Sequence, residues 1–223
     1  MVVKLHTLHN TTDKMSKRIK DTYQKHLWIF FSANITIYII VTIYGYFSIN
    51  NANIEFSKFI NPKSILFILS PLISLIINGL FPNSFKEFLV FWKIKNRLPG
   101  CRVFSKFALE DPRIDVEILK RKVGDFPYKP IEQNKLWYTL YKQLTENEII
   151  IGSHRDFLLT RDLCTISFAL MILLIPLEVF YCQNTIAKIA YPIFLFLQFL
   201  VLSISSRNYG NRFVCNVLAE TAR

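Results

Sequence analysis

Leu163–Cys182 reads LCTISFALMILLIPLEVFYC, an apolar run whose one charged residue is Glu178. A helix rises about 1.5 Å per residue and a bilayer core is about 30 Å thick, so a run of this length crosses it. In lipid the backbone must satisfy its own hydrogen bonds, which makes the run a helix. Pro176 removes one backbone donor and can kink that helix, as membrane helices tolerate. Three further runs share this character: Ile189–Ser206 just downstream, and Leu27–Ile49 and Ser64–Phe81 toward the N-terminus, all uncharged. The chain is 52% apolar, with 20 Phe and 19% charged residues, and its apolar residues fall in blocks rather than amphipathic patterns.

The predicted fold is therefore an all-α integral membrane protein. Four transmembrane helices form two hairpins that flank a helical cytosolic module. The expected divisions are a basic N-terminal helix at 1–26, hairpin 1 at 27–81, the module at 82–162, hairpin 2 at 163–206 and a C-terminal helix at 207–223. The run from 27 begins too far along the chain, and is too long, for the core of a cleaved signal.

Charge sets the orientation. Of 27 Lys and Arg, only Lys58, Lys63 and Lys188 lie in the short hairpin loops. Basic segments stay on the cytoplasmic side, so both termini and the module are expected there, with the hairpin turns outside. The net charge of +11 is thus concentrated on one face of the membrane. Plain topology with attraction to anionic lipid headgroups accounts for it. So does an anionic cytosolic ligand, a nucleotide or nucleic acid.

Met15, Ile19, Tyr23 and Leu27 recur every fourth residue among Lys and Arg, an amphipathic approach to the first span that suits the inner leaflet or the module. Tyr44 to Phe47 places aromatic rings at the outer interface. The polar residues inside the runs serve either helix packing or a pore lining. Asn78 and Gln198 are two of them. Glu178 is the third candidate, a costly acid that either lines an outer, cation-favouring ring or reaches the headgroups.

In the module, Ser84 can cap a helix from Phe85 to Arg97, which Leu98-Pro99-Gly100 stops. A second helix is expected from Ile114 to Val123, ending in Lys120-Arg121-Lys122, where cations suit the helix dipole. A third is expected from Ile131 to Ile151, with Leu136, Trp137, Leu140, Tyr141 and Leu144 as its core stripe. Beyond Arg207 to Arg212, a separate short helix from Phe213 to Ala222 is expected to fold back on the module. His154 reads as structural, because no second histidine stands four residues away to make a zinc box. Cys101, Cys164, Cys182 and Cys215 have no metal-like spacing and read as reduced thiols. No phosphate-cradling glycine loop occurs, and no catalytic cluster can be argued, so neither enzyme activity, nor a metal, nor a cofactor is expected.

Four stretches carry a resemblance: Leu98-Pro99-Gly100-Cys101-Arg102, Gln133 to Tyr138, His154 to Asp162, and Asn208 to Ala219. With the two-hairpin layout they resemble small four-span effectors of bacterial anti-phage systems, most closely the transmembrane effector of the Hailong system; the four-span Kiwa component is similar in layout. The resemblance implies an inner-membrane homo-oligomer, a tetramer, that conducts ions. It also implies closure by DNA oligomers from a partner nucleotidyltransferase. It carries over no site residues.

The functional expectation is a regulated ion-conducting oligomer in the bacterial inner membrane. An anionic ligand would bind Arg102, Lys106, Lys120, Arg121, Lys122 and Arg212, with Glu178, Asn78 and Gln198 at the pore. The alternative is a non-conducting anchor that recruits a soluble partner.

Overall fold

A computed structural model describes residues 21–42, 71–182 and 184–223. The approach helix before residue 21, the aromatic outer end of the first run, the first hairpin loop and the start of the second run lie outside the described residues. Among the described residues every regular element is helical. We label them α1 (Asp21–Thr42), α2 (Pro71–Leu80), α3 (Asn83–Phe91), α4 (Ala108–Glu110), α5 (Val116–Val123), α6 (Pro130–Gln143), α7 (Glu148–Tyr181) and α8 (Thr185–Ala222). Three of them, α1, α7 and α8, are long and apolar enough to cross a membrane, as in a multi-pass membrane protein.

The chain divides into two compact units. One contains Met1–Tyr23, Glu87–Arg161 and Ile204–Arg223; the other contains Gln24–Lys86 and Asp162–Ser203. We call them the polar unit and the apolar unit.

The apolar unit is held by polar contacts among apolar neighbours. Gln198 Nε2 donates to Asn34 Oδ1 at 3.0 Å and to Ser167 Oγ at 3.3 Å, which ties α8 to α1 and α7. Thr42 Oγ1 donates to Glu178 Oε2 at 3.3 Å. Lys86 Nζ pairs with Asp162 at 3.3 Å, and Asn78 Nδ2 donates to the same carboxylate at 3.0 Å. Both ions are buried, so removing one partner would strand the other. Asp162 thus meets Lys86 and Asn78. Phe85, Phe168 and Phe199 pack alongside, with Phe85 and Phe168 centroids 5.6 Å apart and Phe168 and Phe199 5.7 Å apart. Ile40, Leu72, Ile172, Leu173, Phe180 and Ile189 stay exposed, an outer surface suited to lipid.

In the polar unit the helix bounds differ from the sequence reading in three places. The helix predicted to reach Arg97 ends at Phe91, because Trp92 turns left-handed at φ 52° and Asn96 follows at φ 49°. The helix predicted to run from Ile131 to Ile151 is broken after Gln143, and Asn147 starts a new one. Its Oδ1 accepts from Ile149 N at 2.9 Å and Ile150 N at 3.3 Å, a cap that opens α7. Finally, no separate C-terminal helix exists: α8 continues through Gly210 to Ala222. Gly210 is there for space. A Cβ at this position would lie 2.9 Å from Phe91 Cζ and 3.0 Å from Phe157 Cε2.

The rest of the unit follows its local signals. Asp115 caps α5 by accepting from Ile118 N at 2.9 Å, and Gly124 at φ 80° ends it. Trp137, Leu140 and Tyr141 are buried as the stripe on α6 predicts, while Leu136 and Leu144 are half-buried. Gln133, 1% exposed, accepts from Phe104 N, Ser105 N and Ser105 Oγ, each at 3.2 Å. One side chain thereby accepts two backbone donors and one hydroxyl of a π-helical turn, Val103–Phe107.

Gly210→Ala should destabilise the polar unit by about 1–3 kcal/mol, the usual cost of forcing a methyl group into a packed site. Thermal unfolding in detergent, followed by near-UV circular dichroism, should show the lower midpoint.

Candidate functional site

Segments from four separate parts of the chain meet at one cavity of the polar unit, of about 490 Å³. Leu98, Pro99 and Gly100 form one wall, and Asn134, Trp137, Tyr138 and Tyr141 of α6 a second. His154, Phe157, Leu158 and Arg161 of α7 and Gly210, Phe213 and Val214 of α8 close it. The volume lies in the range of small-molecule sites, and the lining is mostly apolar with a few polar groups, as such sites are.

Phe213 organises the aromatic wall. It meets Trp137 and Tyr141 edge-on, with centroids 5.4 Å away in both cases, and stacks on His154 at 4.8 Å and 5°. Trp137 and Tyr141 lie nearly parallel, 5.8 Å apart. Trp137 Nε1 donates to Val214 O at 3.3 Å, which fixes the indole against α8. Edge-to-face and offset arrangements of this kind suit the ring quadrupoles. The Tyr141 hydroxyl and His154 Nδ1 are 3.1 Å apart.

The polar groups are few. Asn134 Oδ1 is buried with no hydrogen-bond partner among the described residues. It is pressed against Gly100, where a Cβ would come within contact of the carboxamide carbon at 3.3 Å. Burial holds the Glu87 carboxyl above the usual range against the opposing charges of Arg161, itself 7% exposed, and Arg97. Burial, helped by the Arg161 charge, drives His154 down to about 4, so its imidazole is neutral at pH 7. Burial likewise pushes the Tyr141 phenol up to about 12. His154 therefore acts as a neutral aromatic wall with one polar edge, in keeping with its structural reading.

The cations predicted to bind a ligand are not gathered at this cavity. On α5, Lys120 lies over the Phe126 ring at 5.7 Å, Arg121 Nε donates to Glu117 O at 3.5 Å and Lys122 Nζ donates to Thr221 O at 2.8 Å. Arg212 is exposed on α8. Arg102 and Lys106 both lie over the Phe107 ring, each at 5.9 Å from its centroid, and Lys106 reaches Glu110 at 4.0 Å. The pore candidates are in the apolar unit, each with a partner from its own chain. Asn78 contacts Asp162 and Lys86, Gln198 contacts Asn34 and Ser167, and Glu178 contacts Thr42. Glu178 is 0% exposed, and its Oε1 has no hydrogen-bond partner among the described residues.

The sequence reading favours core for the aromatic stripe of α6 and does not foresee the cavity beside it. The signal lay in four separated segments, and only the fold joins them. All four cysteines are unpaired thiols, and no cluster of His, Cys, Asp and Glu fit to hold a metal occurs among the described residues. No family model, curated protein or solved structure matches this chain.

The depressed His154 pKa has a sign. Below its unfolded pKa of about 6.5 the unfolded chain takes up a proton that the folded chain refuses. Stability should be flat above pH 6.5 and fall as the pH drops toward 4. His154→Gln should flatten that part of the profile, measured as unfolding midpoint against pH for both proteins in the same detergent.

Proposed function

We propose that this chain is the subunit of a regulated ion-conducting pore, controlled by an anionic ligand, a nucleotide or a DNA oligomer, at its polar unit. In this reading four spans form two hairpins in a bacterial inner membrane, with both termini in the cytoplasm. Copies assemble, as a tetramer, because four helices provide little room for a conduit within one chain. The setting is anti-phage defence, with a nucleotidyltransferase as the source of the ligand.

One observation carries the reading. α7 and α8 are single helices, of 34 and 38 residues, and each holds cavity residues and membrane-type residues. His154, Phe157 and Arg161 share α7 with Glu178, and Gly210 and Phe213 share α8 with Gln198. A ligand that moves the cavity wall acts on the helices that carry the candidate pore residues. Such a ligand shifts the pore only through its difference in affinity for the closed and open states. The cavity supplies ring faces, the Asn134 carboxamide and the Arg161 guanidinium, groups that take a base or another planar ring. Glu178 supports the pore claim as a buried acid whose Oε1 has no hydrogen-bond partner among the described residues, an acceptor that a cation or an incoming water would satisfy.

A specific observation favours a second reading, a non-conducting anchor that recruits a soluble partner. Asn78, Gln198 and Glu178 are each bonded inside their own chain, so as they stand they serve helix packing.

The discriminating experiment is electrical. Full-length protein in planar bilayers should carry current, and Glu178→Gln should move the reversal potential in a salt gradient toward weaker cation preference. Absence of current from any isolated oligomer would remove the pore, and a stoichiometric soluble partner in the same preparation would establish the anchor.

A further inference from the structure

The turn after α3 places several cations beside exposed apolar side chains. Trp92 adopts φ 52°, a conformation that a bulky non-glycine residue takes only at a cost. Its Nε1 donates to Leu89 O at 2.8 Å, and its ring remains 51% exposed. Ile94, two residues on, is 78% exposed. The Arg207 guanidinium lies 4.8 Å from the Trp92 ring centroid and donates to Val90 O at 3.1 and 3.2 Å. A cation stacked on an indole and anchored to a carbonyl is fixed in place while keeping its remaining donors for a ligand.

Lys93 belongs to the same group. Arg102, foremost, and then burial, Lys106 and Arg207 hold its ammonium below the usual lysine range. Arg102 and Lys106 share the Phe107 ring, and the nearest acid to this pair is Glu110, at 4.0 Å from Lys106. Lys93, with Arg102, Lys106 and Arg207 near enough to act on its charge, makes a site for an anion that spreads its charge over several oxygens. Arg207 directly follows the apolar run that ends at Ser206, where a spanning helix meets the headgroups.

We propose that Lys93, Arg102, Lys106 and Arg207 bind the phosphate of an anionic phospholipid, while Trp92 and Ile94 enter the interfacial zone beside its acyl chains. The exposed indole and isoleucine select a lipid over a free phosphate, which has no apolar part to meet them. Ile94, 78% exposed and without a flat ring face, suits acyl chains rather than stacked bases. The proposal rests on the membrane reading and not on conduction, so it survives a chain that carries no current.

The test uses the full chain in nanodiscs of phosphatidylcholine with a minority of phosphatidylglycerol. A dibrominated acyl chain, which quenches indole fluorescence on contact, is placed on one lipid or the other at equal mole fraction. The Trp92 signal is the difference between the native chain and Trp92→Phe. Label on phosphatidylglycerol should quench it at least threefold more than label on phosphatidylcholine. Lys93→Gln, at an exposed position, should remove most of that excess without altering the circular dichroism. Equal quenching by both labels, no quenching by either, or an unchanged excess in Lys93→Gln would overturn the proposal. Loss of the excess on adding millimolar inorganic phosphate would overturn it in favour of a free anion. Loss on adding a stoichiometric mixed-sequence oligonucleotide would overturn it in favour of nucleic acid.

Discussion

A backbone surrounded by apolar groups must bond to itself, and α7 and α8 obey this over 34 and 38 residues. Pro176 in α7 and Pro192 in α8 each remove one donor, yet neither ends its helix. Nor does Gly210, whose missing side chain admits Phe91 and Phe157. Because these helices do not stop where the apolar runs stop, their polar ends supply two walls of the aromatic cavity. Phe213 meets Trp137, Tyr141 and His154 only because α8 carries it past Ser206 without a break.

The same rule governs the polar side chains. Gln133 is buried and satisfied by three donors of one turn. Gln198 is satisfied by Asn34 and Ser167, and Lys86 by Asp162 and Asn78. Each is a point at which a misplaced helix would strand a donor or an acceptor, so these contacts select one arrangement over its neighbours. The exceptions among the described residues are Ser74 Oγ, Asn134 Oδ1, Glu178 Oε1, Tyr191 OH, Ser206 Oγ and Asn211 Oδ1, which are buried without hydrogen-bond partners. Buried polar atoms without partners are uncommon, and Asn134 Oδ1 lies on the wall of the aromatic cavity.

Much of the architecture was legible. Length and freedom from charge alone identify the apolar parts of α1, α7 and α8, and Asp115 and Gly124 mark the ends of α5. What escaped was set by distant neighbours. Trp92 turns left-handed beside Arg207, and no local signal in Phe91-Trp92-Lys93 marks the end of a helix. Gly210 reads as a helix breaker until Phe91 and Phe157 are seen against it. Asn147 was a visible cap, overlooked because the aromatic stripe of α6 was extended across it. The cavity was the least legible feature, since Gly100, Asn134, His154 and Phe213 lie far apart in the chain.

The central claim is that the apolar lengths of α7 and α8 cross a bilayer and return, leaving the polar unit on one side. Its most direct measurement is labelling of single introduced cysteines with a membrane-impermeant maleimide, in intact and in permeabilised cells, on a chain whose native cysteines are serine. A cysteine at Lys188, in the connection between the two apolar runs, should label in intact cells. One at Arg223 should label only after permeabilisation. Labelling of both positions under the same condition, or release of the unlabelled chain from membranes by alkaline carbonate, would contradict the account.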